Sequence, residues 1–348
     1  MSCLGGDILR VLASVIATVK NEGKTIHHLL ESLSAQTRQP DEIIIVDGGS
    51  CDDTLMQLHE WEGRRQIPLR VISEPGSNIS RGRNVAIAAA AGPLIASTDS
   101  GVRLDPTWLA SLVRPYELVG PAAPIIACGF FAADGTTAFE FAMGATVLPV
   151  LADIKPEKFL PSSRSVAFPK RAWETVGGYP EWLDYCEDLV FDLCLQAEGY
   201  RFHFVPDAVA HFRPRSSLGA FFRQYYRYAR GDGKADLWRK RHLVRYTVYG
   251  LAVPLLLWLT WARGWQWAIL LLLGAVAMLW TPYRRLIPLL PQLRVVDRVR
   301  AILWVPVIRI TGDIAKILGY PAGLLWRWKH HRQIPNWRAQ KAQPESER

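Results

Sequence analysis

Three short apolar runs, each released into a polar loop that carries a carboxylate, constrain this chain more than any other feature. ASVIAT (13–18) leads into VKNEG with Glu22, EIIIVDGGS sets Asp47 at the end of its run, and PLIASTD delivers Asp99. Ile26, Leu29, Leu30 and Leu33 recur at helical spacing after the first run, and Gln39-Pro40 breaks that pattern before the second. Strand, helix and strand with such short joints imply parallel pairing through a right-handed crossover. Residues 43–46 are β-branched and show no alternation, as expected of a strand covered on both faces. LRVISEP, the alanine-rich RNVAIAAAAG and PLIAST repeat the unit, so the first 100 residues read as a doubly wound α/β half. In such sheets ligands lie beyond the carboxyl ends of the strands. One loop acid is ordinarily a solvated surface group. Three at corresponding strand ends point to a binding site.

At 348 residues the chain can bury one large core, or one core plus an appendage. Up to about residue 240 it reads as a soluble α/β domain; beyond that Trp, Leu and Arg dominate. The net charge of +9 does not signal nucleic acid, because no recognition motif accompanies it. The basic residues cluster around apolar runs, which favours a membrane surface as partner. Cys3, Cys51, Cys128, Cys186 and Cys194 show no metal-type spacing and read as reduced, mostly buried residues. No signal peptide is expected, since the N-terminus lacks a basic start before a long apolar stretch. No GxGxxG opens the first crossover, which disfavours a nicotinamide dehydrogenase.

SVIATVKNEGKTI, IIIVDGGSCDDT, SRGRNVAIAAAAG and ASTDSGVRLDP, in that order, resemble the nucleotide-sugar-binding half of family 2 glycosyltransferases. The likeness runs over roughly residues 14–234. It implies a Rossmann-like, mostly parallel sheet of the glycosyltransferase A type and a nucleoside-diphosphate sugar as donor. By matching positions, Glu22 and Asp47 would hold base and ribose. Thr18 stands where proline is usual, and Arg83 of the RN pair would face base or diphosphate. The family's Asp-x-Asp is reduced here to Asp99-Ser100-Gly101, which leaves one carboxylate for a divalent cation, Mg²⁺ or Mn²⁺. Mg²⁺ needs few protein ligands when phosphates supply the rest. His211, in VAHFRPR after the strand RFHFVP, is the candidate to complete the shell.

Further on, Asp105-Pro106 reads as the cap of a helix carrying Trp108 and Leu109, and residues 121–150 as strand and loop on the acceptor side. The turn Gly177-Gly178-Tyr179-Pro180 precedes Asp184, Glu187 and Asp188, then a helical face with Leu189, Leu193 and Leu195 that Gly199 stops. Acids in a first turn suit a helix's positive end, and that accounts for Asp184. Glu187 and Asp188 match the family's Glu-Asp motif. The resemblance makes Asp188 the base of an inverting transfer and Glu187 the group that orients it or meets the acceptor. Gln224, Arg227 and Tyr228 resemble the QxxRW helix of membrane glycan synthases, with Tyr in place of Trp. That departure favours a single transfer over processive synthesis. The rival reading of this segment is an interfacial helix whose Arg and Tyr meet lipid headgroups.

Two apolar stretches, 248–262 and 265–280, are separated only by Arg263-Gly264 and flanked by Trp and Tyr, as in a membrane hairpin. A buried soluble hairpin is the alternative. Pro254 should kink the first helix. Arg239, Lys240, Arg241 and Arg245 before the pair, and Arg284 and Arg285 after it, put both ends in the cytosol. In the last apolar stretch Arg309, Asp313 and Lys316 share one stripe, which suits a helix lying in the headgroup plane. The expected organisation is a catalytic domain over 11–238, with a nucleotide-sugar half at 11–105 and an acceptor half at 106–238. A transmembrane hairpin at 243–283, an interfacial helical region at 284–329 and a disordered basic tail at 330–348 would follow. The whole reads as a multi-pass protein of a bacterial inner membrane that glycosylates a lipid-linked or glycan acceptor. A non-catalytic, membrane-tethered nucleotide-sugar binder is the alternative, suggested by the depleted Asp-x-Asp.

Overall fold

Strands and helices alternate from Ala13 onward in the computed structural model, which describes residues 10–338. β1 (Ala13–Val19), α1 (Ile26–Ser34), β2 (Glu42–Asp47), α2 (Thr54–Arg64), β3 (Leu69–Ser73), α3 (Ile79–Ala89) and β4 (Leu94–Ser97) form the repeating half. β5 (Val102–Leu104), α4 (Trp108–Val119), β6 (Ile125–Ala133), α5 (Ala138–Val147), β7 (Val166–Pro169), α6 (Lys170–Thr175), α7 (Glu187–Ala197) and β8 (Arg201–Phe212) follow. The chain continues as α8 (Leu218–Ala235), α9 (Arg239–Thr247), α10 (Val253–Arg263), α11 (Gln266–Leu286) and α12 (Val295–Lys329).

The strand order is β3-β2-β1-β4-β7-β6-β8-β5. β1 pairs parallel with both β2 and β4, and β2 with β3, as the β-branched runs require. Beyond β4 the pairings β4–β7, β6–β7 and β5–β8 are antiparallel, so the sheet is mixed. Ile43, Ile44, Ile45 and Val46 are all fully buried, which explains their lack of alternation.

Contacts divide the chain into two compact units. The sheet unit comprises the described parts of Met1–Ala132, Leu151–Phe212 and Pro335–Arg348; the helical unit comprises Ala133–Val150 and Arg213–Ile334. Residues 133–150, expected as wall of the acceptor side, thus contain the helix α5, which packs on α11 and α12. Its sequence AFEFAMGATV has no polar stripe to betray a helix. The expected cap at Asp105 is also absent: α4 starts after Thr107, whose side chain makes no capping bond. On α7 the buried residues are Glu187, Val190, Phe191, Asp192, Cys194 and Leu195, while Leu189 and Leu193 are only half-buried.

In the helical unit α12 lies directly on α8. A Cβ at Gly323 would stand 2.1 Å from the carbonyl oxygen of Arg230, and one at Gly319 2.3 Å from that of Tyr226. Only glycine permits backbones to approach so closely. The stripe Arg309, Asp313 and Lys316 turns inward, with Asp313 only 5% exposed; the outward face is apolar, with Ile310, Ile314 and Leu318 exposed. Two stretches, Arg239–Arg263 and Gln266–Gln292, are long and apolar enough to cross a membrane, each with mean hydropathy 1.4. A soluble core hairpin would be covered, yet almost none of either stretch is buried inside the protein. A π-helical turn, Val248–Ala252, precedes Pro254 and makes room for its ring. Cys128 and Cys194 are buried, Cys186 is half-buried and Cys51 exposed, all four as free thiols. Cys3 and the tail from residue 339, with Lys341, lie outside the described residues.

Candidate active site

β1 is the point where the winding reverses: the chain builds outward to β3, then returns to the other side of β1 as β4. Crevices form at such switch points. Glu22 follows β1, Asp47 closes β2 opposite Val19, and Asp99 lies two residues past β4. Asp47, 1% exposed, accepts bonds from the backbone N–H groups of Gly49 (3.0 Å) and Ser50 (3.0 Å), so its carboxylate shapes the GGS loop. The Glu22 carboxylate accepts from the Thr25 hydroxyl at 2.5 Å, and its backbone N–H donates to Thr54 Oγ1 at 2.8 Å. Thr18 is half-buried on β1, facing Gly82 of α3.

The centre of the sheet unit is Arg83, 2% exposed. Its Nη2 donates to Asp99 Oδ1 at 2.9 Å and its Nη1 to Glu187 Oε1 at 2.8 Å. The guanidinium lies 5.2 Å from the ring centre of Tyr179. One fork thus ties the strand-end acid to the first residue of α7. The second oxygen of Asp99 accepts from Arg164 Nε at 3.2 Å, and Arg164 stacks on Phe212 at 4.3 Å. Burial opposes ionisation of Asp99, but Arg164 and Arg83 together outweigh it and hold its carboxyl below the ordinary range. Glu187 goes the other way. Burial, reinforced by the charge of Asp188, pushes it up to about 7 in spite of Arg83. Asp192, one turn beyond Asp188, is buried and raised by the same two causes.

Asn84 and the start of α3 fix this arrangement. Asn84 Oδ1 accepts from Trp173 Nε1 (2.9 Å) and from the Tyr179 N–H (2.8 Å), and its Nδ2 donates to the Tyr179 carbonyl (2.9 Å). Asn78 Nδ2 and Ser80 Oγ donate to the carbonyls of Glu181 (2.7 Å) and Leu183 (3.2 Å). Gly178, with φ +84, turns where a Cβ would meet Asn84 Oδ1 at 2.8 Å. Cys186 adopts a left-handed φ of 64 and opens α7, so Glu187 and Asp188 sit in its first turn. Asp188 is half-buried, and Asp184, exposed, lies in the loop before α7 and not in its first turn.

For a divalent cation the donor set is sparse. No group of three His, Cys, Asp or Glu side chains converges among the described residues. His211 Nε2 lies 2.8 Å from Asp105 Oδ1. Its neighbour Phe212 faces Arg164, and alternation along β8 sends His211 to the opposite face. Gly101 contributes nothing itself, but a Cβ built there would stand 3.9 Å from Glu22 Oε2. A carboxylate from the loop after β1 therefore borders the place left by the missing acid. This set suits a cation shared with substrate phosphates, not an all-protein cage.

Gln224, Arg227 and Tyr228 lie on α8 in the helical unit, where Gln224 Nε2 donates to the Tyr228 hydroxyl at 2.8 Å. Arg164 and Asn84 escaped the sequence reading. Arg164 sits in a PSSRS loop without a motif, whereas the RN pair already marked the place of Asn84.

Comparisons with known proteins converge. A "Glycosyl transferase family 2" profile matches residues 14–138, and one for "Glycosyl transferase family group 2" matches 126–296. A validoxylamine A glucosyltransferase of Streptomyces hygroscopicus subsp. limoneus is 28% identical over 34% of this chain and 26% of its own length. A dodecaprenyl-phosphate galacturonate synthase of Rhizobium johnstonii is 30% identical over 30% of this chain and 32% of its own. The first curated relatives are thus spanned over about a quarter to a third of their length. The mannosyltransferase PcManGT of Pyrobaculum calidifontis, solved with GDP-Man and Mn²⁺, superposes with TM-score 0.60 at 17% identity. That match covers 89% of this chain and 88% of the other, and shows a common fold.

Proposed function

Because this chain belongs to glycosyltransferase family 2, we propose that it moves a sugar from a nucleoside diphosphate to an acceptor at the cytosolic face of a membrane. The reading rests above all on one observation: Arg83 joins Asp99, at the switch point, to Glu187, beside Asp188. A fixed, cationic fork between a donor-side acid and an acceptor-side helix suits a pyrophosphate that departs while an acceptor attacks.

In the proposed reaction the acceptor hydroxyl oxygen bonds to the anomeric carbon as the carbon–phosphate oxygen bond breaks, which inverts that carbon. Asp188 takes the hydroxyl proton. Glu187 is a positioning residue that holds Arg83, and Arg83 offsets charge on the departing diphosphate. Thr18, Glu22 and Asp47 hold base and ribose; Gln224, Arg227 and Tyr228 serve the donor or sugar path from α8. A Mg²⁺ or Mn²⁺, held by Asp99 and the diphosphate oxygens, would neutralise charge on the leaving group. His211 would have to leave Asp105 to join it. The membrane-length helices keep the acceptor in or near lipid, and the Tyr228 variant of the QxxRW motif favours a single transfer. A lipid-linked acceptor accords with the dodecaprenyl-phosphate of the Rhizobium relative's name.

The test is calorimetry of the full chain in detergent against UDP- and GDP-sugars, with and without Mn²⁺, beside a donor-hydrolysis assay. Asp188→Asn should retain donor affinity and lose about 10²–10⁴-fold in turnover, the usual worth of a general base. Donor binding with no turnover, identical in Asp188→Asn, would instead indicate a non-catalytic binder.

A further inference from the structure

The helical unit holds a buried ion network that sugar transfer does not use. Asp313 accepts from Arg245 Nε at 2.9 Å and from the Tyr249 hydroxyl at 3.0 Å, and Arg309 Nε lies 3.5 Å away. His242, 3% exposed, stacks on Tyr320 and bridges the next acid: its Nε2 is 3.1 Å from Asp232 Oδ2, its Nδ1 3.2 Å from Arg245 Nη1. A guanidinium can only donate, so Nδ1 accepts and a single ring proton, on Nε2, satisfies both bonds.

The charges do not balance. Among the described residues, three cations, Arg245, Arg309 and Lys316, face two carboxylates, Asp313 and Asp232. Lys316 has no hydrogen bond or ion pair among the described residues; its ammonium rests 5.0 Å from the centre of the Tyr225 ring. Burial, then the charge of Arg245, push its pKa down to about 8. Arg309 Nε is buried with no hydrogen-bond partner. A purely structural network would be neutral and saturated, because a buried cation with open donors costs folding free energy. An ammonium without an ion pair, a guanidinium Nε that reaches Asp313 only at 3.5 Å, and one surplus positive charge describe a receptor for an anion.

The surroundings select its chemistry. Arg245 stands at the start of the first membrane-length helix, and the face of α12 turned away from the charged stripe is apolar, with Ile310, Ile314 and Leu318 exposed. An anion arriving here travels with apolar chains. We infer that Lys316 and Arg309, with Arg245 held in place by Asp313, form a binding site for the phosphate of a membrane lipid. The inference is independent of the sugar-transfer reading.

The experiment is a thermal-shift titration of the detergent-solubilised full chain with dihexanoyl phosphatidic acid, dihexanoyl phosphatidylcholine and inorganic phosphate. Phosphatidic acid should raise Tm saturably, phosphatidylcholine should not, and inorganic phosphate should compete only weakly. Lys316→Met and Arg309→Gln should each weaken phosphatidic acid about tenfold or more, the worth of one charge-assisted hydrogen bond. Lys329→Met, which removes a charge farther along α12, should leave it unchanged. If Lys316→Met does not fold, Lys316→Arg should restore both fold and binding. Unaltered binding in Lys316→Met and Arg309→Gln, or equal response to phosphatidylcholine, would overturn the site. Inorganic phosphate binding as tightly as the lipid would overturn the lipid assignment.

Discussion

Replacing Glu187 by glutamine removes a carboxyl that burial and Asp188 raise from its ordinary 4.5 to about 7. The unfolded chain releases this proton near 4.5, whereas the folded protein keeps it to about 7. Between those values the unfolded state binds fewer protons, so Glu187 costs stability progressively as pH rises, and the full cost applies above 7. At 1.36 kcal/mol per pH unit, that span sets an upper bound of about 3 kcal/mol. Glutamine has nearly the same shape and can still accept from Arg83 Nη1, but it carries no titrating charge. The variant should therefore gain on the wild type across pH 4.5–7, by up to about 3 kcal/mol, and hold that gain at higher pH. The assay is thermal unfolding of both proteins in one detergent at half-unit steps from pH 4.5 to 8. A Tm difference that stays flat, or that moves against the variant as pH rises, would refute this account of the Arg83–Glu187 pair.

Two further outcomes follow from the packing and the charges. Gly323→Ala should destabilise the helical unit by about 1–3 kcal/mol or more, because its methyl would press on the Arg230 carbonyl; Gly274→Ala, with nothing within 4 Å, is the control, and Tm reads both. Arg164→Met should weaken nucleoside-diphosphate binding about tenfold by calorimetry, since Asp99 would keep only Arg83; unchanged affinity would remove Arg164 from the site.

β1, β2 and β4 were legible because their apolar runs are covered on both faces, and because each delivers an acid at a fixed place. The opposite held for α5. In AFEFAMGATV nearly every side chain is apolar or small, so no face contrasts with another and periodicity has nothing to report. The stripe of Arg309, Asp313 and Lys316 could be read as a stripe, but not its direction. A charged face that seeks headgroups and one that seeks buried counter-charges across a helix pair have the same spacing. Asp105 illustrates a different limit. Its place before Pro106 suits a cap, yet the partner it takes is His211, a hundred residues on and paired beside it only through β5 and β8. Arg164 was invisible for the same reason: its role comes from the fold bringing its loop to Asp99.

The detour of residues 133–150 bears on how the protein can be dissected. A fragment cut after Phe212, where the sheet unit closes, would still carry α5 but none of the helices that cover Ala138, Phe139, Ala142 and Met143. Those side chains would meet water, and such a fragment should clump or demand detergent although it lacks every membrane-length helix. A soluble version calls for excising the excursion and bridging its ends, not for shortening the C-terminus.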